Sequence, residues 1–293
     1  MAVEERDPHT GYMTTGHEWN GIKELNTPVP RPVFFFLIVT ALFAVAYWIL
    51  MPAWPLGVTY TRGLLGIDQR NTVTESVKQA ALERSVWTGR IEAASFKDIQ
   101  ADPQLRERVR QTGKTLFGDN CAPCHGSNAR GGKGFPNLTT AAWLWGGDFD
   151  SIADTIKVGV NSAHPQSRTS QMMAFGRDQL LKKDEIDNVV SYVRSLSDPT
   201  VAGQVPAAKI EAGKAVFSAN CVTCHGDDAR GKQDLGAPDL TDRNWIYGGD
   251  AESIFTTVWS GRQGHMPSWD GRLSPLDRKI LTLYLVDLRR GDR

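Results

Sequence analysis

Every cysteine of this 293-residue chain falls in one of two pentads, Cys121-Ala122-Pro123-Cys124-His125 and Cys221-Val222-Thr223-Cys224-His225. Two thiols separated by two residues and followed at once by an imidazole suit one task closely. The thiols reach the two vinyl groups of a porphyrin while the adjacent ring turns onto its iron. Each pentad therefore reads as a covalent haem c attachment site, with Cys121, Cys124 and His125 at haem one and Cys221, Cys224 and His225 at haem two. Two other uses of paired cysteines fit less well. Zinc ribbons place their pairs roughly 15–20 residues apart, and a redox dithiol needs a βαβ setting that this sequence lacks. No thiol is left for a disulfide framework, so export from the cytoplasm follows from haem attachment rather than from bridges.

An iron held by histidine on one face needs something on the other. After the second pentad the only methionine is Met266, in Gly264-His265-Met266-Pro267, which the sequence assigns to haem two. After the first pentad Met172 and Met173 are adjacent. Aligning Met172-Met173-Ala174-Phe175 with Met266-Pro267-Ser268-Trp269 selects Met172 for haem one and leaves Met173 as a competitor. About eight extra residues precede this methionine and include His164; a bis-histidine site is the alternative there, although a polar loop histidine more often faces solvent. The choice matters because Met/His ligation raises the reduction potential.

Residues around each centre follow by the same logic. The carbonyls of Pro136 and Pro238 are placed to accept the Nδ1 proton of His125 and His225 and so set each tautomer, against the alternative of ordinary turn prolines. Trp143 and Trp245 are candidates to wall the haem or to donate to a propionate through the indole N–H. Arg130 and Arg230 are propionate candidates too, against the alternative of solvated arginines.

The elements that position these groups recur with the pentads. Gly113-Lys114 and Phe117 match Gly213-Lys214 and Phe217, and Ala129-Arg130-Gly131 matches Ala229-Arg230-Gly231. Further on, Pro136-Asn137-Leu138-Thr139 pairs with Pro238-Asp239-Leu240-Thr241, Gly146-Gly147-Asp148 with Gly248-Gly249-Asp250, and Tyr192 with Tyr284. Such a repeat argues for duplicated domains, each small enough to need the haem as part of its core. The predicted domains are 103–197 and 209–293, joined by a Pro/Gly/Ala-rich linker at 198–208. Lys+Arg and Asp+Glu both number 33, so no basic surplus points to nucleic acid.

From Val33 to Met51 the chain reads VFFFLIVTALFAVAYWILM, without a charge. Nineteen such residues rise about 28 Å as a helix, the thickness of a bilayer's hydrocarbon core. Pro32 and Pro52 bracket the run, and Tyr47, Trp48 and Trp54 lie toward its far end, where aromatic belts form. A cleaved signal peptide is the alternative, but the run is long for one and ends in Trp and Pro. Because haem c is attached outside the cytoplasmic membrane in bacteria, residues 1–32 are expected in the cytoplasm and the haem domains in the periplasm, a single-pass inner-membrane arrangement. Residues 52–102 read as a periplasmic helical connector, with a helix over Val73–Arg84 that Gly89 interrupts.

The expected architecture is mainly α: one N-terminal transmembrane helix followed by two tandem class I cytochrome c domains. This layout, with Thr14-Thr15-Gly16-His17-Glu18-Trp19 through Asn26-Thr27-Pro28-Val29-Pro30-Arg31 ahead of the span, resembles the di-haem subunit (CcoP or FixP) of cbb3-type cytochrome c oxidase over essentially the whole length. Met173 departs from it, since that family usually has proline after the ligand. The resemblance implies two covalent haem c groups and electron transfer from a soluble or membrane cytochrome c donor, through a mono-haem cytochrome c subunit, to a haem-copper catalytic subunit that reduces oxygen and pumps protons. The chain itself has no copper ligand set and no carboxylate in its span, so no catalytic site is expected in it. Two competing readings are a free-standing membrane-tethered electron shuttle and a haem-based gas sensor or open-site enzyme. The methionines argue against the last.

Overall fold

The structure is a computed structural model that describes residues 5–291; residues 1–4 and 292–293, the outermost ends of the predicted first and last segments, lie outside them. It divides into two compact units, one up to Glu83 and one from Arg84 onward.

The first unit opens with a hairpin that the sequence reading missed, β1 (Thr14–Trp19) paired antiparallel with β2 (Ile22–Leu25). Its turn is Asn20-Gly21, with φ of 52° and 84°, the residue pair that primed hairpin turns favour. Helix α1 (Arg31–Leu50) follows, with Pro in its first turn and no buried side chain. Pro suits that position because its missing N–H would be unpaired there anyway. At the other end the carbonyls of Ile49 and Leu50 accept from the N–H groups of Leu64 and Leu65, both at 3.0 Å, which satisfies two of the acceptors a helix terminus leaves open.

Helix α2 (Gln69–Ala93) runs on through Gly89, correcting the expected interruption. An internal glycine costs a helix only about 1 kcal/mol, and burial of Ile91 just beyond it offsets that cost. Ile91 belongs to a core with Ile99 of α3 (Phe96–Ala101), Leu105 and Val109 of α4 (Pro103–Asn120), and Ile280 and Leu283 of α12 (Pro275–Gly291). The end of the connector is thus part of the second unit's packed body. Asp102 starts α4 by accepting from Gln104 N and Leu105 N at 2.9 and 3.1 Å.

Between these lie α5 (Ala122–His125), α6 (Phe149–Val158), α7 (Lys183–Ser197), α8 (Pro199–Ala202), α9 (Ala207–Asn220), α10 (Val222–His225) and α11 (Ala251–Ser260). The expected linker is therefore partly helical: Asp198 caps α8, and Val201 is buried.

The packing does not follow the predicted cut into domains 103–197 and 209–293. Helix α12, from the second repeat, packs on α4 and α6 of the first, while α7, from the first repeat, packs on α9 and α11 of the second. One core unites Phe117, Ile152 and Ile156 with Trp269, Leu281, Tyr284 and Leu285. The other unites Ile186, Val189, Val190 and Val193 with Phe217, Ile254 and Val258. Each half of the body is built from both repeats. Glycine makes the crossings close: a Cβ on Gly113 would stand 2.6 Å from Tyr284 Cβ, and one on Gly213 would stand 2.1 Å from the Asn188 carbonyl oxygen.

Candidate functional site

Each pentad is one helical turn hung on the end of a longer helix. Cys121 N–H donates to Phe117 O at 2.8 Å and His125 N–H to Cys121 O at 2.9 Å; Cys221 to Phe217 and His225 to Cys221 repeat this at 2.8 and 3.0 Å. Cys121 packs against the core that holds Phe117, and Cys221 against the core that holds Phe217. The first cysteine of each pair thus packs on a separate core, while Cys124 and Cys224 are exposed, an arrangement that does not fit a shared Cys₄ zinc site.

His125 Nδ1 lies 3.1 Å from Pro136 O, and His225 Nδ1 lies 3.1 Å from Pro238 O. With Nδ1 donating to a carbonyl, Nε2 is the nitrogen that carries the free lone pair. The repeated Ala-Arg-Gly makes this geometry. Ala129 and Ala229 adopt φ of 59° and 58° and are fully buried. Gly131 and Gly231, also at positive φ, lie so close under the proline loop that a Cβ would stand 2.7 Å from Pro136 O or from Pro238 O. Only glycine leaves that carbonyl room to face the ring.

Burial pushes the Cys121 and Cys221 thiols up to about 11, with the neighbouring cysteine adding to the effect. Burial also lowers both His125 and His225 below the ordinary histidine range, opposed by the proline carbonyls. A neutral imidazole is the form that binds a metal.

The methionines run opposite to expectation. Met266, expected at haem two, packs against the core that carries Cys121, and Met172, expected at haem one, packs against the core that carries Cys221. Backbone pairing holds each loop there. Val160 and Met266 exchange N–H···O bonds at 2.9 Å, and Met172 and Arg262 exchange them at 2.8 and 3.1 Å. These loops cross between the repeats, so each methionine packs on the core that holds the other repeat's first cysteine. Met173 is 55% exposed, whereas Met172 is half-buried. His164 uses both ring nitrogens elsewhere, Nε2 facing Asp270 at 3.6 Å and Nδ1 accepting from Gln166 N at 3.0 Å.

Of the aromatic and basic candidates, Trp143 packs on the first core but gives its indole N–H to Thr140 O at 2.9 Å, so that hydrogen is already used. Trp245 packs on the second core. Arg130 and Arg230 are exposed, and Arg230 faces Asp228 only at 3.9 Å. Arg168, which the sequence reading passed over, is the one part-buried arginine among the described residues with an unpartnered buried Nε–H, and it stacks 5.1 Å over Trp145. Its signal was invisible in sequence because only tertiary packing buries it. The donor set fits haem c: paired thiols, a neutral imidazole with its outer nitrogen fixed, and a thioether in each core.

Family models agree along the chain. The N-terminal domain of cytochrome oxidase-cbb3, FixP, matches residues 11–58; cytochrome c matches 111–197; and cytochrome c oxidase, cbb3-type, subunit III matches 208–285. The chain is 47% identical to the cbb3-type cytochrome c oxidase subunit FixP of Bradyrhizobium diazoefficiens, over 98% of both chains. It is 39% identical to subunit CcoP of Azospirillum brasilense, over 99% of this chain and 100% of that one. With CcoP of Cereibacter sphaeroides the identity is 40%, over 95% of each.

Proposed function

The chain belongs to the FixP/CcoP family of cbb3-type cytochrome c oxidase subunits, and we propose that it takes electrons from a periplasmic cytochrome c and passes them, by way of a mono-haem subunit, toward the haem-copper catalytic subunit. It is a membrane-anchored electron-transfer subunit with two covalent haem c groups. Residues 1–32 lie in the cytoplasm, residues 33–51 span the membrane, and the remainder is periplasmic, because covalent haem attachment takes place on that side.

Bound haem c supplies a reversible one-electron couple at its iron. The chain's own residues do the rest. Cys121 and Cys124 hold one group as thioethers, and Cys221 and Cys224 hold the other. His125 and His225 would present Nε2 to the irons, favoured as neutral rings by burial and held in one tautomer by the Pro136 and Pro238 carbonyls. The thioether that each core carries, Met266 in one and Met172 in the other, would favour the reduced state of a bound haem relative to more basic ligands.

The observation that carries this reading is the pair of pentads whose imidazoles are pinned alike at 3.1 Å. Intact-mass measurement tests attachment: Cys121→Ala/Cys124→Ala is expected to lose one haem mass and retain the other. Affinity purification of the full chain in mild detergent tests assembly. A haem-copper subunit is expected to follow it, and deleting residues 1–52 is expected to abolish that association. Undiminished oxygen consumption by membranes carrying only the truncated chain would point to a free shuttle instead.

A further inference from the structure

We propose that residues 52–67 form an apolar foot that lies in the lipid interface on the periplasmic side, so that the chain enters bulk water at Asp68 rather than at Met51. The proposal rests on the reading of residues 33–51 as the membrane span.

Charge and exposure point to it together. Arg62 is the one charged residue between Arg31 and Asp68, so the helix ends at Leu50 but the uncharged run does not. Beyond it Trp54, Leu56, Val58, Tyr60, Leu64 and Leu65 are all exposed, an apolar patch of the kind that marks an interaction surface. Trp54 joins this patch to α1, its ring centroid 4.9 Å from that of Trp48.

The patch has a defined backbone. Pro55 and Tyr60 form an antiparallel bridge, Leu56 N–H donates to Thr59 O at 2.6 Å, and Thr61 N–H donates to Trp54 O at 2.9 Å. Thr61 Oγ1 accepts from Trp54 N at 3.0 Å. The chain then folds back on the end of α1, where Leu64 and Leu65 donate to Ile49 O and Leu50 O. Gly63 permits that return: it holds φ 70°, and a Cβ on it would stand 2.4 Å from Leu50 O. Pro52 and Pro55 have no N–H to satisfy. These backbone groups bond within the foot and to the helix end while the large apolar side chains face outward, which is the arrangement that a lipid setting demands.

Three features select lipid over a protein partner. Trp48, Trp54 and Tyr60 gather at one end of the span, the level that amphipathic aromatic rings take at a membrane interface. The foot carries a cation, Arg62, and no anion, which suits anionic headgroups, and the aliphatic stem of arginine lets its charge reach them from apolar surroundings. The foot also continues directly from a helix already in lipid, with its return strand bonded to that helix.

Spin labels on introduced cysteines test the depth. Haem attachment uses all four native cysteines, so one added thiol is the only free one. The full haem-loaded chain, with whatever subunits purify with it, is placed in vesicles of phosphatidylethanolamine and phosphatidylglycerol. Labels go on Val58→Cys and Leu64→Cys in the foot, Leu42→Cys in the span and Arg108→Cys on exposed α4 surface as the water reference. Relaxation by dissolved oxygen, which concentrates in lipid, is compared with relaxation by a water-soluble nickel chelate. At Val58 and Leu64 oxygen is expected to dominate, with nickel acting less than at Arg108. Nickel access at either site equal to that at Arg108 overturns the proposal. Shielding of either site from both reagents also overturns it, because protein then covers the loop. Leu42 separates this proposal from the span: nickel access there counts against the span, and the foot falls with it. A shielded Leu42 beside a Val58 open to nickel leaves the span standing and removes the foot alone.

Discussion

Glycines of the same chain answer to different constraints. Gly89 lies inside α2 with open space where a Cβ would go, whereas Gly213 lies inside α9 with the Asn188 carbonyl oxygen 2.1 Å from that point. Alanine is the better helix former at both. Gly89→Ala is therefore expected to stabilise the protein by about 0.5–1 kcal/mol, and Gly213→Ala to destabilise it by about 1–3 kcal/mol because two backbones must part. Denaturant midpoints of the two variants against the parent chain measure both signs. Asn161 is a third case, holding φ 48° while its side chain bonds two carbonyls. Asn161→Gly keeps the backbone conformation and loses the bonds, so it is expected to cost about 1–3 kcal/mol and to shift the spectra of both haems rather than one. The pentads and their proline partners were legible in sequence because each lies within one short loop. Arg168 was not, since its burial depends on chain that lies elsewhere.

At the scale of elements, local chemistry explains where helices begin. Asp148 accepts from Ser151 N at 3.0 Å to start α6, and Asp250 accepts from Ser253 N at 2.9 Å to start α11. The side-chain hydrogen bond with Ser151, followed by the backbone one, holds the Asp148 carboxyl below the ordinary carboxylate range, and Ser253 acts likewise on Asp250. The sign follows from that depression. A carboxyl that is more acidic when folded contributes fully above its unfolded pKa, about 3.9, and its contribution is lost as pH falls through the lower folded value. Asp148→Ala is thus expected to cost about 1 kcal/mol at neutral pH, with the difference from the parent chain shrinking below about pH 4. Asp148→Asn, which retains a capping oxygen, is expected to lose less; thermal melts across pH distinguish the two. These starts were readable from the repeated Gly-Gly-Asp. The β1–β2 hairpin was readable as well, from Asn20-Gly21 between strand-like flanks. The passage of α2 through Gly89 was not, because a tertiary core rather than propensity sustains it.

For the whole molecule, the repeat identified which elements pack together but not which copy of each. Tyr192 and Tyr284 occupy equivalent places, as do Gly113 and Gly213, so the hydrophobic pattern fits a tandem arrangement and an exchanged one equally well. What separates them is the crossing of the two loops, where Asn161 bonds Gly264 and Met172 and Met266 pair with Arg262 and Val160. Exchange has an energetic consequence that tandem domains lack. Neither core can lose its packing without releasing a helix that leads directly into the other core's methionine loop. Leu281 makes the point: it belongs to the second repeat yet is buried in the core that holds Cys121. Leu281→Ala removes buried methyl groups at an expected cost of about 2–5 kcal/mol. In tandem domains that loss would fall on the second haem alone. Here, unfolding of the full chain in detergent is expected to stay a single cooperative transition, with the methionine-iron bands of both haems vanishing together at a lower denaturant concentration than in the parent chain. Two separated transitions, with only one band displaced by Leu281→Ala, would show that the halves are energetically independent.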